Sequence, residues 1–186
     1  NNYTGKVINY MTITSAGNAA DFGDTTVQHM FTAGCGSHSR GLIMAGSAAG
    51  DVIDYVTMAS TGNASDFGDV TRARSQLGAL SNTTRGIAVG GYANGYWSGG
   101  SYLQGTYISG GQQDIMDYVT ISTTGNATDF GNLGAGTENC SGMASDSRGV
   151  IIRPNNVMEY ITIASAGNAT DFGNLTVAKF NLSAAA

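Results

Sequence analysis

Short apolar runs closed by glycine, asparagine or serine alternate with polar stretches along the whole chain, and almost none of it has helical periodicity. The run Val52 to Ala59 (VIDYVTMA) would turn Val52, Asp54, Val56 and Met58 to one face and Ile53, Tyr55, Thr57 and Ala59 to the other. Neither face is wholly polar, which predicts a strand packed on both sides. Ser60-Thr61-Gly62-Asn63 then supplies turn residues. The stretch to Asp69 carries a single large apolar residue, Phe67, which predicts a short, acidic edge strand.

The same wording returns four times, over residues 7–24, 52–69, 115–132 and 157–174. Tyr10, Tyr55, Tyr118 and Tyr160 each precede Asp21, Asp66, Asp129 and Asp171 by the same interval, so the chain is a repeat protein. Asp21 to Arg40, Asp66 to Arg85 and Asp129 to Arg148 are also equal intervals, although the residues between them drift. Those segments (VQHMFTAG, RARSQLGAL, GTENCSGMA) read as a further strand and turn. The runs RGLIMAG, RGIAVGG and RGVIIRP read as central strands. About four antiparallel strands per unit follow, in an all-β chain whose 186 residues form a single repeat domain. Four signatures accompany only three Arg-Gly strands, a phase that favours a segment of a longer array over a closed ring.

Composition narrows the partners. Charged residues are 11% of the chain and the net charge is -5, which argues against nucleic acid and anionic membranes. No apolar run is long enough for a bilayer span, so membrane insertion is not expected. Glycine is abundant at 28 residues, but the apolar fraction of 41% argues against disorder. Cys35 and Cys140 occupy different places in their repeats, against a disulfide built into the design.

Four-stranded units with an apolar strand ending in Gly90-Gly91 match the blades of kelch-type β-propellers. Tyr-Ile-Thr-Ile at residues 160–163, Gly-Asn-Ala-Thr-Asp-Phe-Gly at 125–131 and 167–173, and Thr84-Arg85-Gly86 carry a closer likeness. In these segments the chain resembles kelch-like repeat proteins among the tail and other virion structural proteins of bacteriophages, especially marine ones. The likeness covers nearly everything except residues 92–113. It implies a virion or extracellular surface location, partners among other virion proteins or copies of itself, and no enzymatic activity. Ala45-Gly46 and Arg153-Pro154 depart from the Gly-Gly pattern.

The repeated polar residues are weighed against chemistry one by one. Asp-Phe-Gly matches a kinase magnesium motif, but nothing else of that signature is present. Calcium would need six or more oxygens, whereas Asn132 and Asn174 replace the second aspartate in later copies. Capping of the turn by the aspartate is favoured, or pairing with the recurrent Arg40, Arg85 and Arg148. His29 and His38 lack companion ligands and are assigned to turns or the surface, so neither metal nor cofactor is expected.

One interruption stands out. An insertion at residues 92–113 follows Gly91 and contains Tyr92, Tyr96, Trp97, Tyr102 and Tyr107 among Gly, Ser, Asn and Gln. Rigid rings beside small hydrogen-bonding residues suit recognition, including of a host-surface glycan. An extra hairpin covering an edge or touching a neighbour is the alternative. The two function classes are a structural, adhesive component such as a tail fibre, and a carbohydrate-active propeller enzyme. For the latter the candidate carboxylates are Glu138 and Asp146. A secreted bacterial scaffold would share the same wording.

Overall fold

The computed structural model describes residues 5–93, 96–98, 106–108 and 110–179, and among these there are only strands, turns and bends. The first signature forms a hairpin, β1 (Val7–Tyr10) with β2 (Ala20–Asp24). The second completes a four-stranded antiparallel sheet in the order β3 (Ala33–Gly36), β4 (Arg40–Gly46), β5 (Gly50–Thr57), β6 (Ser65–Asp69). The third unit begins with β7 (Gly78–Ser81) and β8 (Arg85–Val89). The short β9 (Tyr92–Ala93) follows, and β10 (Tyr96–Ser98) and β11 (Thr106–Ile108) pair as a separate hairpin. The unit is completed by β12 (Gly111–Thr120) and β13 (Thr128–Thr137). In the fourth, β14 (Ser141–Ala144), β15 (Arg148–Ile152), β16 (Val157–Thr162) and β17 (Thr170–Asn174) lie side by side in chain order.

Each Arg-Gly strand is central, between the drifting strand and the tyrosine strand, and the Asp-Phe-Gly strand forms the edge. The drifting segments are strand only in their second halves. Their first halves are connectors, except in the third unit, where β13 runs on to Thr137 opposite Gln113.

Asp-Phe-Gly is a β-bulge. Ile53 pairs with Gly68 and Asp54 with Asp66, leaving Phe67 as the extra residue, and the same slip recurs in the other three copies. The aspartate holds the bulge by accepting a bond from the glycine N–H two residues on, at 3.0 to 3.2 Å in all four copies. The freed phenylalanine turns its ring onto the tyrosine: in the second and third units the centroids are 5.9 Å apart at 81°.

The core lies between sheets. Leu42, Met44, Ile53 and Phe67 of the second unit close on Leu77, Ala88, Val119 and Ile121 of the third. Ile87, Val89, Met116 and Phe130 on the other face of the third unit close on Ile151, Ile161 and Ile163 of the fourth. Burying each of these large side chains contributes about 1.5–3 kcal/mol. The glycine of two Arg-Gly pairs makes this approach possible. A Cβ on Gly86 would lie 3.0 Å from Leu42, and one on Gly149 would lie 2.8 Å from Leu80.

Consecutive units are also stitched along their outer edges. Phe22 O accepts from Gly62 N at 2.7 Å, Asp24 O accepts from Ala64 N at 2.8 Å, and Asn63 Oδ1 accepts from Asp24 N at 3.0 Å. The same three bonds join Phe67 and Asp69 to Gly125, Asn126 and Ala127, at 2.7, 3.1 and 2.8 Å respectively. They join Phe130 and Asn132 to Gly167, Asn168 and Ala169 at 2.6, 3.0 and 2.9 Å respectively. Backbones approach so closely that a Cβ on Gly23, Gly68 or Gly131 would collide with the carbonyl of the next unit's glycine. Gly-Asn-Ala therefore recurs because it is half of a junction whose other half is Phe-Gly-Asp/Asn.

Candidate binding surface

The repeated arginines do not pair with the repeated aspartates. Arg40 stacks on Tyr55 and Arg85 on Tyr118, each guanidinium carbon 4.6 Å from the ring centroid, and Arg148 stacks on Tyr160 at 4.8 Å. Arg40 Nη1 also donates to Ile121 O at 2.9 Å and Arg85 Nη1 to Ile163 O at 2.7 Å, each reaching into the following unit. Asp21, Asp66, Asp129 and Asp171 remain bound to their own bulges. Arginine, tyrosine and phenylalanine thus form a stack in the second, third and fourth units, while Tyr10 and Phe22 form its aromatic half in the first.

A second repeated device escaped the sequence reading. The residue before the tyrosine is a buried acid in three copies, Asp54, Asp117 and Glu159. Its signal was an acid between apolar neighbours on one strand face. Asp54 accepts from Thr26 N at 2.9 Å and Thr26 Oγ1 at 2.6 Å, and lies 3.0 Å from His29 Nε2. His29 Nδ1 faces Ala45 O at 2.8 Å, so both ring nitrogens meet oxygen atoms of the fold. His29 is therefore buried in a clasp, not placed at the surface.

Asp117 repeats the pattern with Thr71, and Arg74 takes the place of the histidine. Arg74 Nη1 donates to Asp117 Oδ2 at 2.7 Å and Nε donates to Gly90 O at 2.7 Å. In the fourth unit Glu159 accepts from Gly134 N at 2.8 Å and pairs with Arg153 at 3.0 Å. Asp54 and Asp117 strap the connectors carrying Thr26 and Thr71 to the sheets they enter, while Glu159 ties the extended β13 of the third unit to the fourth. They are structural groups, and Thr71 and Arg74 already occupy the oxygens of Asp117.

Cys35 and Cys140 are free thiols. Burial pushes them up to about 12 and about 11 respectively. They stay protonated near neutral pH and are poor nucleophiles. Glu138 and Asp146 flank opposite ends of β14. Glu138 accepts a long 3.4 Å bond from Gln112, and the Asp146 carbonyl accepts from Asn82 Nδ2 at 2.8 Å.

The insertion is tied to the framework at its base. Ala93 pairs with Gly111 and Tyr92 with Gln112, so β9 extends the β12 side of the third sheet. Gln113 N donates to Gly91 O at 2.8 Å. The insertion therefore begins as a strand extension of the third sheet. Tyr96, Trp97 and Tyr107 are on the paired strands β10 and β11. Tyr102 lies outside the described residues. Tyr92 is held through its backbone, donating to Ser75 O at 2.7 Å and accepting from Ser75 N at 3.0 Å, while its side chain stays exposed. It borders an open cleft lined also by Gly46, Ser47, Gly50, Arg74 and Ser75.

No model of a known protein family matches this chain, and no curated protein matches it.

Proposed function

We propose that the chain is a non-enzymatic structural and adhesive protein of a virion surface appendage such as a tail fibre. In this reading its units are blades of a kelch-like propeller or propeller segment, and the insertion after Gly91 contacts a host-surface glycan. The observation that carries the reading is the contrast between repeat and interruption. Arg, Tyr, Asp-Phe-Gly and Gly-Asn-Ala are each committed to building a unit or joining two. Among the described residues the insertion is joined to the framework at its base, where Tyr92 borders a cleft lined by backbone, serines and Arg74. An exposed ring with nearby hydroxyl and amide groups suits a sugar, whose apolar face stacks while its hydroxyls find partners. The virion assignment rests on the sequence likeness to bacteriophage kelch-like proteins.

The test replaces residues 94–110 with Asn-Gly, which spans the Ala93–Gly111 pair as a tight turn. The variant should keep its β circular dichroism and melting temperature while losing binding to host cells and to a glycan array. Undiminished binding would overturn the adhesive role of the insertion.

A further inference from the structure

Both walls of the cleft beside Tyr92 belong to units whose sheets are complete within the chain. The second unit contributes Gly46, Ser47 and Gly50, and the third contributes Arg74, Ser75 and Tyr92. Gly46 N donates to Arg74 O at 3.0 Å, which ties one wall to the other. The bonds that Ser47 and Ser75 make among the described residues run through their backbones. Ser47 N donates to Met30 O at 2.8 Å, and Ser75 exchanges both of its backbone bonds with Tyr92. Their hydroxyls are left for a ligand. At about 180 Å³ the cleft is smaller than the about 300–1,000 Å³ of sites that enclose a drug-sized molecule, so it admits one ring at a time.

Charge decides which ring. Arg74 brings a cation to the wall, but Asp117 neutralises it at 2.7 Å with both side chains fully shielded from solvent. Arg72, two residues earlier, is itself engaged. Beside the cleft, directly after Gly50, stands the exposed Asp51. It belongs to an acidic neighbourhood: the Asp69 carboxyl is raised above its ordinary value by desolvation first, and then by the charges of Asp51 and Asp66. A carboxylate or sulfate entering here would find Arg74 already neutralised and would meet like charge, which works against binding. A hydroxyl group meets no such penalty.

Building on the proposed glycan contact, we infer that this cleft is a subsite for a single neutral sugar residue, with Tyr92 as the stacking ring and the Ser47 and Ser75 hydroxyls as its polar partners. The residues linked to that sugar stay outside the cleft. Selection is against acidic glycans, through the charge around the site.

The test screens the intact chain on an array that pairs neutral oligosaccharides with the same structures bearing uronate, sialate or sulfate groups. Neutral members should bind, and their acidic counterparts should bind at least about tenfold more weakly, about 1.4 kcal/mol. Affinity for the best neutral oligosaccharide should hold between about 0.01 and about 1 M salt, although the Debye length shrinks from about 30 to about 3 Å. Tyr92→Ala and Ser47→Leu alter exposed residues, so both variants should keep the melting temperature. Each should weaken that binding by about tenfold or more.

Equal binding of the paired members, preference for the acidic ones, or binding that fades with salt overturns the inference and leaves the adhesive role of the insertion standing. Undiminished binding by Tyr92→Ala and Ser47→Leu also overturns it, and if the Asn-Gly variant has lost binding the sugar sits on the insertion instead. Absence of binding to every array member overturns both this inference and the glycan reading. If Tyr92→Ala does not fold, Ser47→Leu decides alone, since Ser47 lies in an exposed turn.

Discussion

Replacing Arg74 with methionine leaves the Asp117 carboxylate buried without its cation. Both side chains are fully shielded from solvent, and the pair is joined at 2.7 Å. Thr71 still donates to Asp117 through its N–H and hydroxyl, so part of the charge remains solvated by the protein. Removing one partner of a buried pair costs about 3–5 kcal/mol. For a chain of this size, 1 kcal/mol is worth about 2–4 °C, so the melting temperature should fall by about 6–20 °C. Asp117→Leu should cost a comparable amount, because it leaves a buried guanidinium. The double variant removes both charges and leaves Gly90 O and the Thr71 donors short of partners, a deficit of about 1–3 kcal/mol. It should therefore be more stable than the worse single variant. Arg74 Nη2 already finds no partner, which lowers the worth of the native pair further. Guanidinium unfolding followed by far-ultraviolet circular dichroism would supply the four corners of the cycle. Single variants within about 1 kcal/mol of wild type, or strictly additive losses, would show that the clasp does not hold connector to sheet.

Gly131→Ala should destabilise by more than about 1 kcal/mol, since it combines an unfavourable φ with a clash against Gly167 O. Gly173→Ala shares the φ cost but meets open space, so chemical denaturation at low protein concentration should show the smaller loss; equal losses would remove the clash from the account. Cys35 and Cys140 should resist alkylation at pH 8 in the native protein and react once it is unfolded. Their folded values lie above the ordinary 9.0, so the folded state holds its protons more tightly. Stability should be insensitive to these thiols below about pH 9 and fall as pH rises from there toward 11 to 12. Fast native labelling at pH 8 would contradict that burial.

Much of the architecture was legible in the chain because strand periodicity and turn chemistry are local. The apolar grouping of residues 52–59, the turn at Gly62-Asn63 and the exposed wording of Asn63 to Asp69 place two adjacent strands and an edge. The Arg-Gly runs announce a central strand, and equal intervals announce a repeat. The insertion is visible as the one interval that is too long. The pairing of Ala93 with Gly111 at its base is a long-range choice that no local pattern expresses.

Repetition itself concealed the rest. Arg40 has a repeated aspartate, a repeated tyrosine and repeated carbonyls within the same wording, and spacing alone does not choose among them. Tertiary packing does, by laying the guanidinium over Tyr55 and aiming it at Ile121, 81 residues away. Asp54 reads as a misplaced polar residue on an apolar face until the connector carrying Thr26 and His29 is laid against it. Asn63, Asn126 and Asn168 look like turn formers until each is seen bonding the edge of the preceding unit. The sequence by itself determined which residues make each unit, since backbone dihedrals and the alternation of faces are set within a few residues. Only the tertiary structure decided which residues join one unit to the next, because those partners belong to different copies of the same words.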